Sequence, residues 1–130
     1  MRVRRIGWLG IRTERFEETA RFFRDVMGLA SVDEEPNFAM LQLPSGERDY
    51  LEVFGADAED SAFEAKYYLT GPVPGFLVPD IEEARDELAA AGVELLGEIS
   101  WARATPGYGW FHFRGPDGNV YGVLQEGDGG

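Results

Sequence analysis

Few side chains in this chain are equipped for chemistry, and where they fall is informative. The only histidine, His112, lies in the run Trp110-Phe-His-Phe-Arg114, and Glu52 interrupts the apolar run Tyr50-Leu-Glu-Val-Phe54. An imidazole and a carboxylate commonly share proton-transfer work, so Glu52 and His112 are the candidate acid–base groups. A glutamate on an apolar strand is costly to bury without a partner, which favours a solvated or paired position for Glu52. His112 has two readings: a satisfied structural histidine, or a hydrogen-bonding and proton-transferring group beside a ligand. Arg12 and Arg114 are either exposed strand residues or cations that neutralise Glu52 or a ligand carboxylate. The chain has no cysteine, which excludes thiolate nucleophiles, thiolate metal sites and disulfides.

Context removes function from other motifs. Gly115-Pro-Asp-Gly-Asn119 joins two strand-like runs and opens no helix, so it reads as a hairpin and not a phosphate loop. The pairs Glu17-Glu18 and Glu82-Glu83 fall in the first turns of helices, where the dipole favours negative charge.

The elements that position these residues belong to one body. A chain of 130 residues with 44% hydrophobic and 13% aromatic content can bury a core and fold alone, which predicts a single domain over residues 1–130. A net charge of -12, with basic residues scattered apart from Arg2, Arg4 and Arg5, argues against nucleic-acid binding. No stretch has the length and apolarity of a membrane span or a signal peptide, so a cytoplasmic location away from membranes is expected.

The hydrophobic pattern predicts a strand over Val3–Arg12, then a helix capped by Thr13 with Phe16, Ala20, Phe23 and Met27 along one face, closed by Gly28. Strands follow at Ala30–Glu34, Phe38–Leu43 and Tyr50–Phe54. An acidic, alanine-rich connector spans residues 55–72, with a helical turn around Phe63–Tyr68. The order then repeats. A strand at Gly75–Val78 leads to Asp80, which with Glu83 forms a capping box for a helix carrying Ile81, Ala84, Leu88 and Ala91 and closed by Gly92. Strands at Glu94–Ile99, Tyr108–Arg114 and Asn119–Gln125 complete the second unit. The units run from 3 to 54 and from 73 to 125.

The repeat is visible in the residues themselves, with Trp8–Ala20 running against Val73–Arg85 so that Gly10 falls over Gly75 and Glu17-Glu18 over Glu82-Glu83. Together with Phe22-Phe-Arg-Asp-Val-Met-Gly-Leu29 and the hairpin Gly115–Tyr121, it resembles the glyoxalase, bleomycin-resistance and extradiol-dioxygenase superfamily, also called vicinal oxygen chelate proteins. The resemblance covers Arg5 to Gln125. It implies an α+β fold of two βαβββ units paired into one open curved sheet, whose cupped interior binds substrate. It also implies four metal-ligand positions, on the first and last strands of each unit, which here fall on Trp8, Glu52, Val73 and Gly122. Only Glu52 has a metal-binding side chain, and adding His112 gives two ligands where a catalytic zinc usually has three. No metal and no cofactor are therefore expected.

Strand alternation then predicts the lining. If Trp8 and Glu52 face the cup, so do Arg12, Phe38, Met40, Gln42, Tyr50 and Phe54, while Leu9, Ile11, Ala39, Leu41, Leu43, Leu51 and Val53 turn to the core. In the second unit Tyr108, Trp110, His112 and Arg114 lie opposite Phe111 and Phe113. Trp8 and Trp110 serve equally well as core aromatics. The resemblance and this lining together point to metal-independent binding of a small organic ligand in an aromatic cup. The alternative is a lyase, isomerase or dioxygenase acting on a substrate with vicinal oxygens. Association as a homodimer is a further expectation.

Overall fold

Alternation of apolar and polar residues fixes the strands, and periodic apolar residues fix the helices that pack on them. A computed structural model describes residues 1–56 and 71–127. The helical turn expected around Phe63–Tyr68 and most of the connector lie outside these described residues.

In the first unit, β1 (Arg5–Thr13) leads to α1 (Phe16–Arg21), a π-helical turn (Phe22–Val26), β2 (Ala30–Glu35), β3 (Phe38–Gln42) and β4 (Tyr50–Gly55). The strands lie in the order β2-β3-β4-β1, with β1 and β4 parallel and the other pairs antiparallel. Its core is formed by Ala20, Leu29, Ala39, Leu41, Leu51 and Val53, packed by Leu9, Ile11, Phe16 and Phe23. This is the set that the two-residue period assigns to the helix side of β1, β3 and β4, except at Leu43. That residue lies past the end of β3 and is 37% exposed. The strand ends because the Gln42 side-chain amide donates to the carbonyls of Glu47 (2.8 Å) and Asp49 (3.0 Å), folding the chain into the turn.

Helix α1 departs from its expected form at both ends. Thr13 is not its cap: the Thr13 hydroxyl accepts from the Arg15 N–H at 3.0 Å, and the helix starts at Phe16 without a side-chain cap. At the other end the Met27 N–H bonds to the Phe22 carbonyl at 3.1 Å and Leu29 to Phe23 at 2.9 Å. The wider turn takes in one extra residue. Met27 is therefore carried out of the apolar stripe to 58% exposure, and Leu29 enters the core in its place.

The second unit repeats the order: β5 (Val73–Leu77), α2 (Ile81–Ala90), β6 (Glu94–Trp101), β7 (Gly109–Arg114) and β8 (Val120–Gln125), with strands ordered β5-β8-β7-β6. Here β5 and β8 are the parallel pair. Asp80 caps α2 as expected, its carboxylate accepting from the Glu83 N–H at 3.0 Å. The core gathers Val78, Ile81, Ala84, Phe111 and Val123, with Leu88, Leu95, Ile99 and Phe113 against it. Ala91 sits beyond the helix and is exposed. Pairing of β6 with β7 shifts between Leu96 and Ser100, where Gly97 takes a φ of 81° that favours glycine. The Arg85 guanidinium ties this bulge to α2 by donating to the Gly97 carbonyl at 2.6 Å.

The two compact units divide within β1. Residues Met1–Gly7 group with Pro74–Gly130, and Trp8–Val73 form the other unit. The early strand end is held there by the Arg4 N–H on the Leu77 carbonyl (2.9 Å) and by an Arg5–Glu126 ion pair (3.3 Å).

Candidate functional site

Among the described residues, each unit's helix packs on one sheet face and leaves the other without a helix, and cross-strand register arranges that second face in rows. In the first unit β4 lies between β3 and β1, which gives three rows: Gln42, Tyr50 and Trp8; Met40, Glu52 and Gly10; Phe38, Phe54 and Arg12. All eight ligand-lining candidates of this unit thus share one face, together with Gly10. Phe38 and Phe54 touch, with ring centroids 5.1 Å apart.

Burial separates the members of these rows. Trp8 and Phe54 are each 4% exposed, so their rings also serve the protein's packing. Glu52, Met40, Tyr50 and Phe38 are partly exposed. Glu52 is the central carboxylate of this face, and its neighbour on β1 is a buried glycine, Gly10. Arg12 donates to the Ala56 carbonyl at 3.0 Å, and Gln42 is occupied with the β3–β4 turn. Both side chains hold backbone that brings the strands to this face.

In the second unit His112 lies opposite Gly122, and Gly122 opposite Gly75, so the imidazole occupies a row whose other two members have no side chain. Trp110 heads the next row, with Leu124 and Leu77. Tyr108 precedes β7 and its ring sits 5.9 Å from that of Trp110. His112 is 1% exposed, and burial lowers its pKa from 6.5 to about 4, because the charged form is the one that loses hydration. At neutral pH it is an uncharged imidazole, able to donate from one nitrogen and accept at the other. Arg114 is directed elsewhere: it donates to the Gly118 carbonyl at 3.0 Å and lies 3.6 Å from Glu94.

The four positions implied by the family resemblance can be tested on the chemistry of their side chains. Trp8 offers an indole N–H donor, Val73 an isopropyl group and Gly122 nothing, so Glu52 alone has a lone pair to give. Among the described residues no three of His, Cys, Asp and Glu come together as a metal site. These residues do not fit a bound divalent cation. Sequence reasoning missed the glycine row beside His112; its signal was the repeat itself, which already set Gly75 over Gly10. No helix among the described residues is long and apolar enough to cross a membrane, which leaves β-barrel spans unaddressed.

Comparison with known proteins places this arrangement. A sequence model of the Glyoxalase/Bleomycin resistance protein/Dioxygenase superfamily matches residues 5–122. Among curated proteins none matches. Similar solved structures include a methylmalonyl-CoA epimerase from Mycobacterium tuberculosis, at 19% identity and a TM-score of 0.73, covering 98% of this chain and 91% of that one. A superfamily member from Vibrio splendidus 12B01 has 22% identity and a TM-score of 0.64, covering 91% and 96%. The Mn(II)-bound glyoxalase of Novosphingobium aromaticivorans has 25% identity and a TM-score of 0.74, covering 96% of this chain and 40% of that one.

Proposed function

The chain belongs to the glyoxalase/bleomycin resistance protein/dioxygenase superfamily, and within it we propose that this protein binds a small organic molecule without a metal. The observation that carries this reading is the makeup of the helix-free faces. Trp8, Phe38, Met40, Tyr50 and Phe54 surround a single carboxylate, Glu52, and in the other unit Tyr108 and Trp110 accompany a neutral His112. Apolar and aromatic surface with a few fixed polar groups is what organic-ligand sites are made of. Such a face attracts a ligand by contact area and orients it through Glu52; His112, 1% exposed, contributes from within the packed sheet of its own unit.

The test is a ligand screen read by tryptophan fluorescence, with and without a chelator. Binding of an aromatic or cationic metabolite should persist in the chelator and weaken in Glu52→Gln. Stoichiometric zinc, nickel, manganese or iron in protein purified without a histidine tag would overturn the reading.

A second reading is a metal-free enzyme acting on a substrate with vicinal oxygens, with Glu52 and His112 as its acid–base groups. It is favoured by the partly exposed carboxylate of Glu52; His112, with a pKa of about 4, is neutral at pH 7 but a weak base there. It requires turnover that is lost in Glu52→Gln and His112→Gln while both variants stay folded. We also propose that the protein is a cytoplasmic homodimer without affinity for nucleic acid or membranes; light scattering showing a monomer would dismiss the dimer.

A further inference from the structure

The helix-bearing face of the second unit carries a separate set of rings. Phe113 lies opposite Tyr121 across the β7–β8 pair, with centroids 5.6 Å apart and planes inclined by 23°. Phe76 on β5 stacks on the same Tyr121 at 6.1 Å and 26°. These three rings, with Gly115, Pro116 and Asp117, line an open cleft of about 390 Å³. All six residues belong to one compact unit, and none lies on the helix-free faces described above.

Asp117 gives the cleft its charge. Its carboxylate accepts from the Tyr121 hydroxyl at 2.6 Å and from the Asn119 N–H and side-chain amide, each at 3.1 Å. All three donors are neutral, and no lysine or arginine among the described residues pairs with this carboxylate. Arg114, on the same hairpin, is turned to Gly118 and Glu94. The bond from Tyr121 is the largest influence holding the Asp117 pKa below its ordinary value, so the group stays charged at neutral pH. Gly115 makes the convergence possible: a Cβ there would lie 2.8 Å from Tyr121 Cε2 and 2.9 Å from Asp117 Oδ1. Any larger residue pushes the ring and the carboxylate apart.

We propose that this cleft binds an organic cation with apolar flanks, such as a methylated ammonium group. Ring quadrupoles attract a cation seated over a ring face within about 6 Å of its centroid, which in this stack means the faces that Phe76 and Phe113 turn away from Tyr121. Asp117 adds a net charge that the hairpin leaves uncompensated. The same carboxylate repels anions, and a neutral hydrocarbon gains nothing from it. A compact metal ion would find a single carboxylate whose oxygens already accept three hydrogen bonds. The chain's net charge of -12 adds long-range attraction for cations.

The probe is choline, compared with its neutral isostere 3,3-dimethylbutan-1-ol, on the full-length protein followed by NMR of the aromatic ring protons. Choline should shift the rings of Phe76, Phe113 and Tyr121, and the neutral isostere should bind roughly tenfold more weakly. Asp117 is exposed, so Asp117→Asn should weaken choline about two- to fivefold, whereas Tyr121→Phe, which keeps the carboxylate and the ring, should retain most of the binding. Equal affinity for choline and the alcohol, or no ring shifts at millimolar choline, would overturn the proposal. The comparison of the two probes on the unaltered protein needs no variant to fold. Shifts at Phe76, Phe113 and Tyr121 report this cleft alone, and choline binding at the faces of Glu52 and His112 is read separately from the Tyr50 and Trp110 signals.

Discussion

Acidification interrogates the surroundings of His112 directly, because the chain has no other histidine. Burial lowers its pKa from 6.5 to about 4 in the folded protein. Above the unfolded value the imidazole is neutral in both states, so its contribution to stability is fully present. As the pH falls below 6.5 the unfolded chain takes up a proton that the folded protein refuses, and stability declines until the pH passes about 4. Each tenfold change in proton affinity is worth about 1.4 kcal/mol, so the whole effect amounts to about 3 kcal/mol. Urea unfolding of the wild type and of His112→Gln, at about pH 7.5 and about pH 4.5, isolates it, since the carboxylates titrate in both proteins and cancel. The wild type should lose about 2.5 kcal/mol more than the variant across that interval. The imidazole carbon-bound proton, a single NMR signal in this chain, should not titrate at mildly acidic pH. Equal losses in the two proteins, or a histidine signal titrating near its ordinary value, would refute the buried neutral imidazole.

Two further substitutions test how the units are held. Asp80→Ala removes the carboxylate that accepts from the Glu83 N–H and should cost about 1 kcal/mol in chemical denaturation; an unchanged midpoint would show the cap to be dispensable. Leu41→Ala empties a fully buried site in the first unit's core and should cost about 2–5 kcal/mol by the same assay, with a loss under about 1 kcal/mol counting against a close-packed core.

Much of this architecture was legible in the residues, because a period of two can be read wherever one face of a strand is buried. Leu9, Ile11, Ala39, Leu41, Leu51 and Val53 fell on the helix side as alternation requires, and Asp80 announced its helix through the glutamate three residues later. What escaped was decided by geometry that pattern does not encode. The steps from Phe16 through Ala20 and Phe23 to Met27 are those of an α-helix, yet the π turn admits one more residue and exchanges Met27 for Leu29 at the core. Leu43 kept the parity of β3, but the Gln42 amide had already turned the chain. The candidate site was legible to the extent that it depends on parity. The seclusion of His112 was not, because parity assigns a residue to a face without saying how deeply that face is covered.

The parallel pairing of the first and last strands in each unit has a consequence for how the protein is made. Trp8 finds Tyr50, and Gly75 finds Gly122, only after the whole intervening unit has been synthesised. Hairpins such as β7–β8 join neighbouring segments and can close early, whereas these parallel pairs must wait for a long loop to close. The row that sets Glu52 beside Gly10 straddles such a pair, and so does the row that sets Gly122 beside Gly75. The surfaces assigned to ligand are thus among the last to assemble, and a nascent or half-folded chain has its carboxylate and its imidazole without the rows that give them a setting.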